Sequence, residues 1–326
     1  MRNIITVIEP EGPEDWFFPL TQIANVHFFY PKGPVKACDV SRIIDESDCV
    51  VITSATAISN EQLRAAKRLR LIAKCGGAPS NIDVDFAAGC GIAVTCVPGA
   101  NTSSIAEYTV MLIISMLRKY SSHIAAIRAG AWRDESLLGR DLGDSTVGVI
   151  GLGAIGGTVV RMLSAFNCRV LVYSTHARRD AYKGLCEFSN SLEEMLPQCD
   201  VVTLHSKVTK DNKNFFNARL FNLMKHEAIF INTARGALVD EAALASALSN
   251  SVIAAAAVDV FQTEPPLKEN PLLKCPNAII TPHSSGWTVD ALKRECQGAV
   301  ASAIAFFNNQ DVPGLINVNY LDNKRN

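Results

Sequence analysis

Three glycines, Gly151, Gly153 and Gly156, follow the apolar run Thr146-Val-Gly-Val-Ile150 and open an amphipathic stretch. Their spacing is GxGxxG. Between a strand and a helix, the first glycine permits a tight turn and the second lets backbone approach a pyrophosphate. The third lets the helix pack closely on the strand. The helix N-terminus, beginning at Ala154 and Ile155, then offers N–H groups and a positive dipole end to phosphate oxygens. The chemistry predicted for Gly151, Gly153, Ala154, Ile155 and Gly156 is dinucleotide binding. The alternative is a tight strand-to-helix turn with no ligand.

The end of the next strand bears on which dinucleotide is held. NAD sites place an Asp or Glu there, about 20 residues on, to bond the ribose 2′-hydroxyl. Here the strand Arg169-Val-Leu-Val-Tyr173 is followed by Ser174, Thr175, His176, Ala177, Arg178 and Arg179. Loss of the acid removes repulsion against a 2′-phosphate, and arginine adds charge-assisted bonds to one. Ser174, Thr175, Arg178 and Arg179 are therefore candidate cofactor contacts. NADP is the expected cofactor and NAD the alternative. Arginines in a solvated loop are the plainer explanation of the same residues.

These residues need elements to hold them. The chain has 326 residues, enough for two domains at about 100–200 residues each. Hydrophobic residues make up 48 %, which excludes general disorder. With 31 Lys+Arg against 32 Asp+Glu, the net charge is -1, so neither nucleic acid nor a membrane surface is an expected partner. The ten cysteines are scattered, with no CxxC pair and no metal-ligand spacing, so they are read as small hydrophobes and no metal is expected. The N-terminus reads as a strand rather than a signal peptide, and the most apolar segment, Ile105–Leu117, is too short to span a bilayer. A cytoplasmic protein is expected.

Apolar runs alternate with amphipathic stretches. Strands are expected near Ile4–Ile8, Val26–Tyr30, Cys49–Thr53, Leu71–Lys74 and Ile92–Thr95. The pattern restarts at Thr146–Ile150 and continues through Arg169–Tyr173, Val201–His205, Ala228–Asn232, Ile253–Val258 and Ala278–Thr281. Strand–helix alternation at this spacing predicts βαβ units and two parallel sheets, an α/β fold. Between them Ser104-Ile-Ala-Glu107 fits a capping box opening a long buried helix that ends near Gly130. A second long helix starts near Thr288 and runs to about Phe307, with Leu292, Cys296, Ala299, Ala303 and Phe306 on one stripe. Gly76-Gly77-Ala-Pro-Ser80 is a sharp loop just after a strand.

Past the glycine loop the chain resembles the D-isomer-specific 2-hydroxyacid dehydrogenases, of the glyoxylate/hydroxypyruvate reductase kind, from about residue 50 to about residue 310. The segments that carry the resemblance are Ser104–Glu107, Gly148–Gly156, Ile231-Asn-Thr-Ala-Arg235-Gly-Ala-Leu-Val-Asp240-Glu241, Ala257-Val-Asp259-Val-Phe-Gln-Thr-Glu264-Pro265 and Thr281-Pro-His283, in matching order and spacing. The resemblance implies two Rossmann-like parallel-sheet domains with the active site in the cleft between them. Residues 1–100 and 286–326 would form a discontinuous substrate-binding domain, and residues 101–285 the NAD(P)-binding domain. Homodimers built around the cofactor domain are implied as well.

The resemblance also implies roles. Arg235 matches the arginine that pairs with the substrate carboxylate and polarises the carbonyl. His283 matches the acid/base that protonates the carbonyl oxygen. Glu264 would bond the other ring nitrogen, fix the tautomer and favour the charged form. Asp259 would bond the nicotinamide carboxamide, Thr233 would lie at the cofactor, and the backbone of Gly76 and Gly77 would meet the carboxylate. The expected reaction is reduction of a small 2-keto acid to a D-2-hydroxy acid.

Three departures from the family pattern matter. Ser174 replaces the usual acid. Lys207 stands where a proline is usual beside the adenosine end, within reach of a 2′-phosphate or of water. Residues 51–56 lack the arginine usual in phosphoglycerate dehydrogenases, and the chain leaves no room for their extra regulatory domain. Both of the last features argue against a 3-phosphoglycerate substrate. Trp132 and Trp287 would either shape the substrate pocket or pack in a core or interface. Two alternatives stay open: a dehydrogenase of a larger or phosphorylated D-2-hydroxy acid, and a dinucleotide-sensing regulator without turnover.

Overall fold

The computed structural model describes residues 2–175 and 179–323. The chain divides into two compact units, Met1–Asn101 with Trp287–Asn326, and Thr102–Gly286. Each holds one parallel sheet.

In the first unit the strands are β1 (Asn3–Ile8), β2 (Ala24–Phe29), β3 (Cys49–Ile52), β4 (Leu71–Lys74) and β5 (Ala93–Thr95), in the order β2-β1-β3-β4-β5. Every pairing is parallel. Cys49-Val-Val-Ile and Leu71-Ile-Ala-Lys are buried at all positions. Apolar runs without a polar alternate, interrupted here only by Lys74 at the end of β4, are what strands covered on both faces require. Successive residues serve opposite faces: Cys49, Val51, Leu71 and Ala73 join one core, and Val50, Ile52 and Ile72 the other. Helix Val289–Phe307 covers the first face with Cys296, Ala299, Ala303 and Phe306. Thr288 caps it by accepting the Ala291 N–H at 3.1 Å, where the sequence places its start.

In the second unit the strands are β6 (Thr146–Ile150), β7 (Arg169–Tyr173), β8 (Glu187–Phe188), β9 (Val201–Leu204), β10 (Ile229–Asn232), β11 (Ala255–Val258) and β12 (Ala278–Ile280). Their order is β12-β11-β10-β9-β6-β7-β8, again all parallel. The order reverses between β6 and β9, and it is outside the carboxyl ends at such a switch point that open α/β sheets bind ligands. One core holds Val202, Leu204, Phe230 and Val258, the other Val147, Val149, Ile229 and Ile231. Helix Thr102–Leu117 packs on the second of these through Ala106, Val110, Ile113 and Leu117.

Two expectations about this helix are corrected. It begins at Thr102, so Ser104 and Glu107 lie inside it and form no capping box at its start. Ser104 is itself buried. The helix also does not run to Gly130. It stops at Leu117, Lys119 takes the left-handed conformation at φ 50°, and a second helix, Tyr120–Arg128, leaves at 58°. That second helix buries none of its residues. The apolar composition of the whole stretch hides the break, because the residues before the bend face the core and those after it do not. Among the described residues no single helix is long and apolar enough to cross a membrane, although this bent pair passes the same test together. All ten cysteines are free.

Candidate active site

Apart from Trp132, every candidate residue of the second unit that the structure describes sits at the carboxyl end of a strand or in the segment just beyond it. The loop after β6 turns at Gly151, whose φ of +98° suits glycine. A Cβ there would meet the His205 carbonyl carbon and the Ser206 nitrogen at 2.8 Å. A Cβ on Gly156 would meet the Gly151 oxygen at 2.1 Å. The first and third glycines are thus required by the protein's own packing. Gly153 is different: nothing lies within 4 Å of where its Cβ would be. Its bareness leaves open space at the start of helix Ala154–Ser164, where no side chain caps the first turn and no acid stands in it. Uncapped N–H groups, a positive helix end and unfilled space at Gly153 fit a pyrophosphate.

At the end of β7, Ser174 Oγ accepts the Leu152 N–H at 3.3 Å, tying the glycine loop to the second strand. Thr175 is exposed. Arg178 lies outside the described residues. Arg179 is exposed and lays its guanidinium over the Phe188 ring at 5.0 Å. Phe188 belongs to β8, a strand of two residues too short to show as a pattern in sequence. After β9, burial pushes the His205 imidazole down to about 3. The ring is therefore neutral, and Nε2 lies 3.1 Å from Thr203 Oγ1. Lys207 is exposed, and its carbonyl accepts from Asn212 Nδ2 at 2.8 Å.

The ends of β10, β11 and β12 carry the reactive groups on three adjacent strands. Beyond β10, Asn232 is buried and organises the turn: Oδ1 accepts the Ala234 N–H at 3.0 Å and Nδ2 donates to the Arg235 carbonyl at 3.0 Å. Arg235 is exposed, donates to the Ala234 carbonyl at 2.6 Å, and has no carboxylate partner among the described residues. Gly236 follows because a Cβ there would fall 1.9 Å from the Phe261 carbonyl carbon. The chain after β11 passes too closely for any side chain.

Beyond β12, His283 takes the left-handed conformation at φ 52°, uncommon for a residue with a Cβ. Its Nδ1 lies 2.6 Å from Glu264 Oε2, and Glu264 Oε1 accepts the Phe261 N–H at 3.0 Å. With Nδ1 taken, Nε2 is the nitrogen left to meet a substrate. Asp259 holds this loop. It is 0 % exposed. Oδ1 accepts from Thr281 Oγ1 at 2.6 Å and from the Ser284 N–H at 2.9 Å, and Oδ2 accepts the Ser285 N–H at 2.9 Å. The Asp259 carbonyl accepts the His283 N–H at 2.8 Å. As placed, Asp259 anchors the histidine loop, and Oδ2, with one donor, keeps a lone pair for a further one. Thr233 is buried, with Oγ1 2.9 Å from Thr109 Oγ1.

Sequence reasoning missed Asn232, Thr281, Ser284 and Ser285 as parts of the site. The signal was present in the polar residues flanking Arg235 and His283, which carry the hydrogen bonds that shape both loops.

In the first unit, Gly76 follows β4 with φ +142°. Lys74, 0 % exposed, lies beneath it: a Cβ on Gly76 would stand 3.3 Å from Lys74 Cε. Lys74 Nζ donates to Asn81 Oδ1 at 2.5 Å. Gly77 approaches Pro98 Cα at 3.8 Å from its Cβ direction. Trp132 and Trp287 are 74 % and 68 % exposed, so neither is packed in the core of its own unit.

Residues 110–285 match the family model described as D-isomer specific 2-hydroxyacid dehydrogenase, NAD binding domain. The chain is 33% identical over 279 residues to a glyoxylate reductase of Aeropyrum pernix, a match covering 83% of each. It is 34% identical over 267 residues to a D-3-phosphoglycerate dehydrogenase of Archaeoglobus fulgidus, covering 82% of this chain and 50% of that protein. The chain thus spans about half the length of the phosphoglycerate dehydrogenases it matches. A solved glyoxylate reductase from Paecilomyes thermophila superposes with a TM-score of 0.85 at 26% identity, covering 97% of this chain and 99% of that one. With a glycine loop, an arginine and a glutamate–histidine pair at the strand ends of one sheet, and with these relatives, the chain belongs to the D-isomer-specific 2-hydroxyacid dehydrogenases.

Proposed function

We propose that the protein reduces a small 2-keto acid of the glyoxylate or hydroxypyruvate type to the D-2-hydroxy acid, using NADPH in preference to NADH. The observation that carries this reading is the set at three neighbouring strand ends: an Arg235 with no carboxylate partner among the described residues, and a His283 held at 2.6 Å by Glu264. The glycine loop, with Gly153, Ala154, Ile155 and Gly156 at an uncapped helix start, is assigned to the pyrophosphate. The bound nicotinamide supplies the hydride.

The chain's own residues do the rest. Arg235 pairs its guanidinium fork with the keto-acid carboxylate and orients the carbonyl. Gly76 and Gly77 are assigned backbone contacts to the same carboxylate. His283, protonated, donates from Nε2 to the carbonyl oxygen. Glu264 holds Nδ1–H and fixes the ring. Ser174, Arg178, Arg179 and Lys207 are assigned to the 2′-phosphate, in support of which no acid stands at the end of β7. A small acid is favoured over phosphoglycerate because residues 51–56 carry no arginine.

The uncovered helix Tyr120–Arg128, with Ile127 and Trp132 exposed beside it, supports a homodimer joined through the second unit. Ten free thiols support a reducing, cytoplasmic setting.

The test is steady-state oxidation of NADPH and NADH in parallel with glyoxylate, hydroxypyruvate, pyruvate and a bulky 2-keto acid. The expected result is turnover of a small acid with a preference for NADPH. A preference for NADH keeps the enzyme and removes the role given to Ser174 and the arginines. Tight cofactor binding with no turnover on any acid favours the dinucleotide-sensing regulator.

A further inference from the structure

Helix Thr102–Leu117 carries two consecutive hydroxyls that reach the two reactive loops separately. Thr109 is 0 % exposed on a face otherwise built of Ala106, Val110, Ile113 and Leu117. A hydroxyl buried among such neighbours is costly unless it is bonded. Thr109 Oγ1 donates to the Ile105 carbonyl at 2.8 Å and lies 2.9 Å from Thr233 Oγ1. A hydroxyl has one proton, so Thr233 donates and Thr109 accepts. Thr233 lies two residues before Arg235, in the turn that Asn232 organises.

Tyr108 is the preceding residue, about 100° away around the helix. Its OH lies 3.3 Å from Ser284 Oγ. Ser284 Oγ itself donates to Asp259 Oδ1 at 3.5 Å, and the Ser284 N–H bonds that same oxygen. Tyr108 therefore donates to Ser284, the residue next to His283. The buried Asp259 is the far end of this chain.

We propose that Tyr108 and Thr109 are positioning residues that set His283 and Arg235 against each other from one step of a single helix. The inference rests on the keto-acid reductase reading above. Neither residue is assigned a contact with substrate. Thr109 acts through Thr233 on the arginine turn, and Tyr108 acts through Ser284 on the histidine loop. Because the helix backbone joins them, the spacing of carboxylate holder and proton donor is fixed by a rigid element rather than by two independent loops.

The two halves of the proposal have different kinetic signatures. Thr109→Val keeps the shape and removes the hydroxyl. It is expected to raise KM for the keto acid about fivefold, the loss of one hydrogen bond, with a smaller change in kcat. Thr109→Ser keeps the hydroxyl and is expected to restore KM to near wild type. Tyr108→Phe is expected to lower kcat about fivefold, with KM for the cofactor unchanged. A readout without cofactor or substrate accompanies it: in the free protein, the His283 ring signals in 15N-histidine NMR should move in Tyr108→Phe and stay in place in Thr109→Val.

A Thr109→Val protein that folds with unchanged KM, or a Thr109→Ser protein as impaired as Thr109→Val, overturns the first half. Unmoved His283 signals and unchanged kcat in Tyr108→Phe overturn the second. Absence of turnover in the wild type is a failure of the parent reading instead, and the NMR comparison still decides the Tyr108 half.

Discussion

Replacing His283 with alanine is expected to lower turnover of the keto acid by about 10²- to 10⁴-fold, the range associated with loss of a positioned general acid. Cofactor binding, measured by quenching or transfer of nicotinamide fluorescence, should be unchanged. The reasons are local. His283 hangs from the end of β12 in a left-handed conformation, held by the Asp259 carbonyl and fixed at Nδ1 by Glu264. Alanine removes the ring without disturbing the bonds that shape the loop, since those run through the His283 backbone, Thr281, Ser284 and Ser285. Glu264→Gln is the companion variant. It keeps the side-chain volume and the Phe261 contact but loses the charge beside the imidazolium, so it should retain more activity than His283→Ala. Turnover that survives His283→Ala at the wild-type rate sinks the proton-donor assignment.

The same loop shows where sequence reading reaches and where it stops. The glycine spacing and the strands on either side of it are local signals, and Thr146–Ile150 and Arg169–Tyr173 form the strands expected of them. The apolar runs give both sheets because parallel strands are buried on both faces. The pairing of Glu264 with His283 crosses 19 residues and came from resemblance, not from spacing. Asp259 shows the limit. Its place at the end of an alanine-rich strand does not tell that its two oxygens accept from Thr281, Ser284 and Ser285 once β11 and β12 lie side by side. Thr109 and Tyr108 were invisible for the same reason: their partners are 124 and 176 residues away. The misplaced helix start has another cause. Ser104 and Glu107 match the capping pattern in composition, but Thr102 and Ser103 extend the helix before them, and a pattern does not say which residue comes first.

In the first unit a buried carboxylate gives a pH dependence of stability. Glu295 lies on helix Val289–Phe307, 8 % exposed, with Oε1 accepting from Asn101 Nδ2 at 3.1 Å. Burial pushes its carboxyl up to about 7, with Glu11 adding repulsion; Lys74, Arg294 and the Asn101 amide pull the other way. The unfolded chain releases the same proton near its ordinary 4.5. Between these values the folded state holds the proton and the unfolded state does not, so folding grows less favourable as pH rises through that window and levels off above it. The cost at alkaline pH is on the order of 2–3 kcal/mol. Glu295→Gln keeps an acceptor for Asn101 and removes the charge. Its stability in urea titrations should match wild type near pH 4.5 and exceed it by on the order of 1–3 kcal/mol at pH 8.5, allowing for the attraction that Lys74 and Arg294 lose. Equal stabilities of the two proteins at pH 8.5, with equal slopes between, would show that Glu295 is ionised without penalty. The charges of Lys74 and Arg294, with the Asn101 amide, would then be what holds it so.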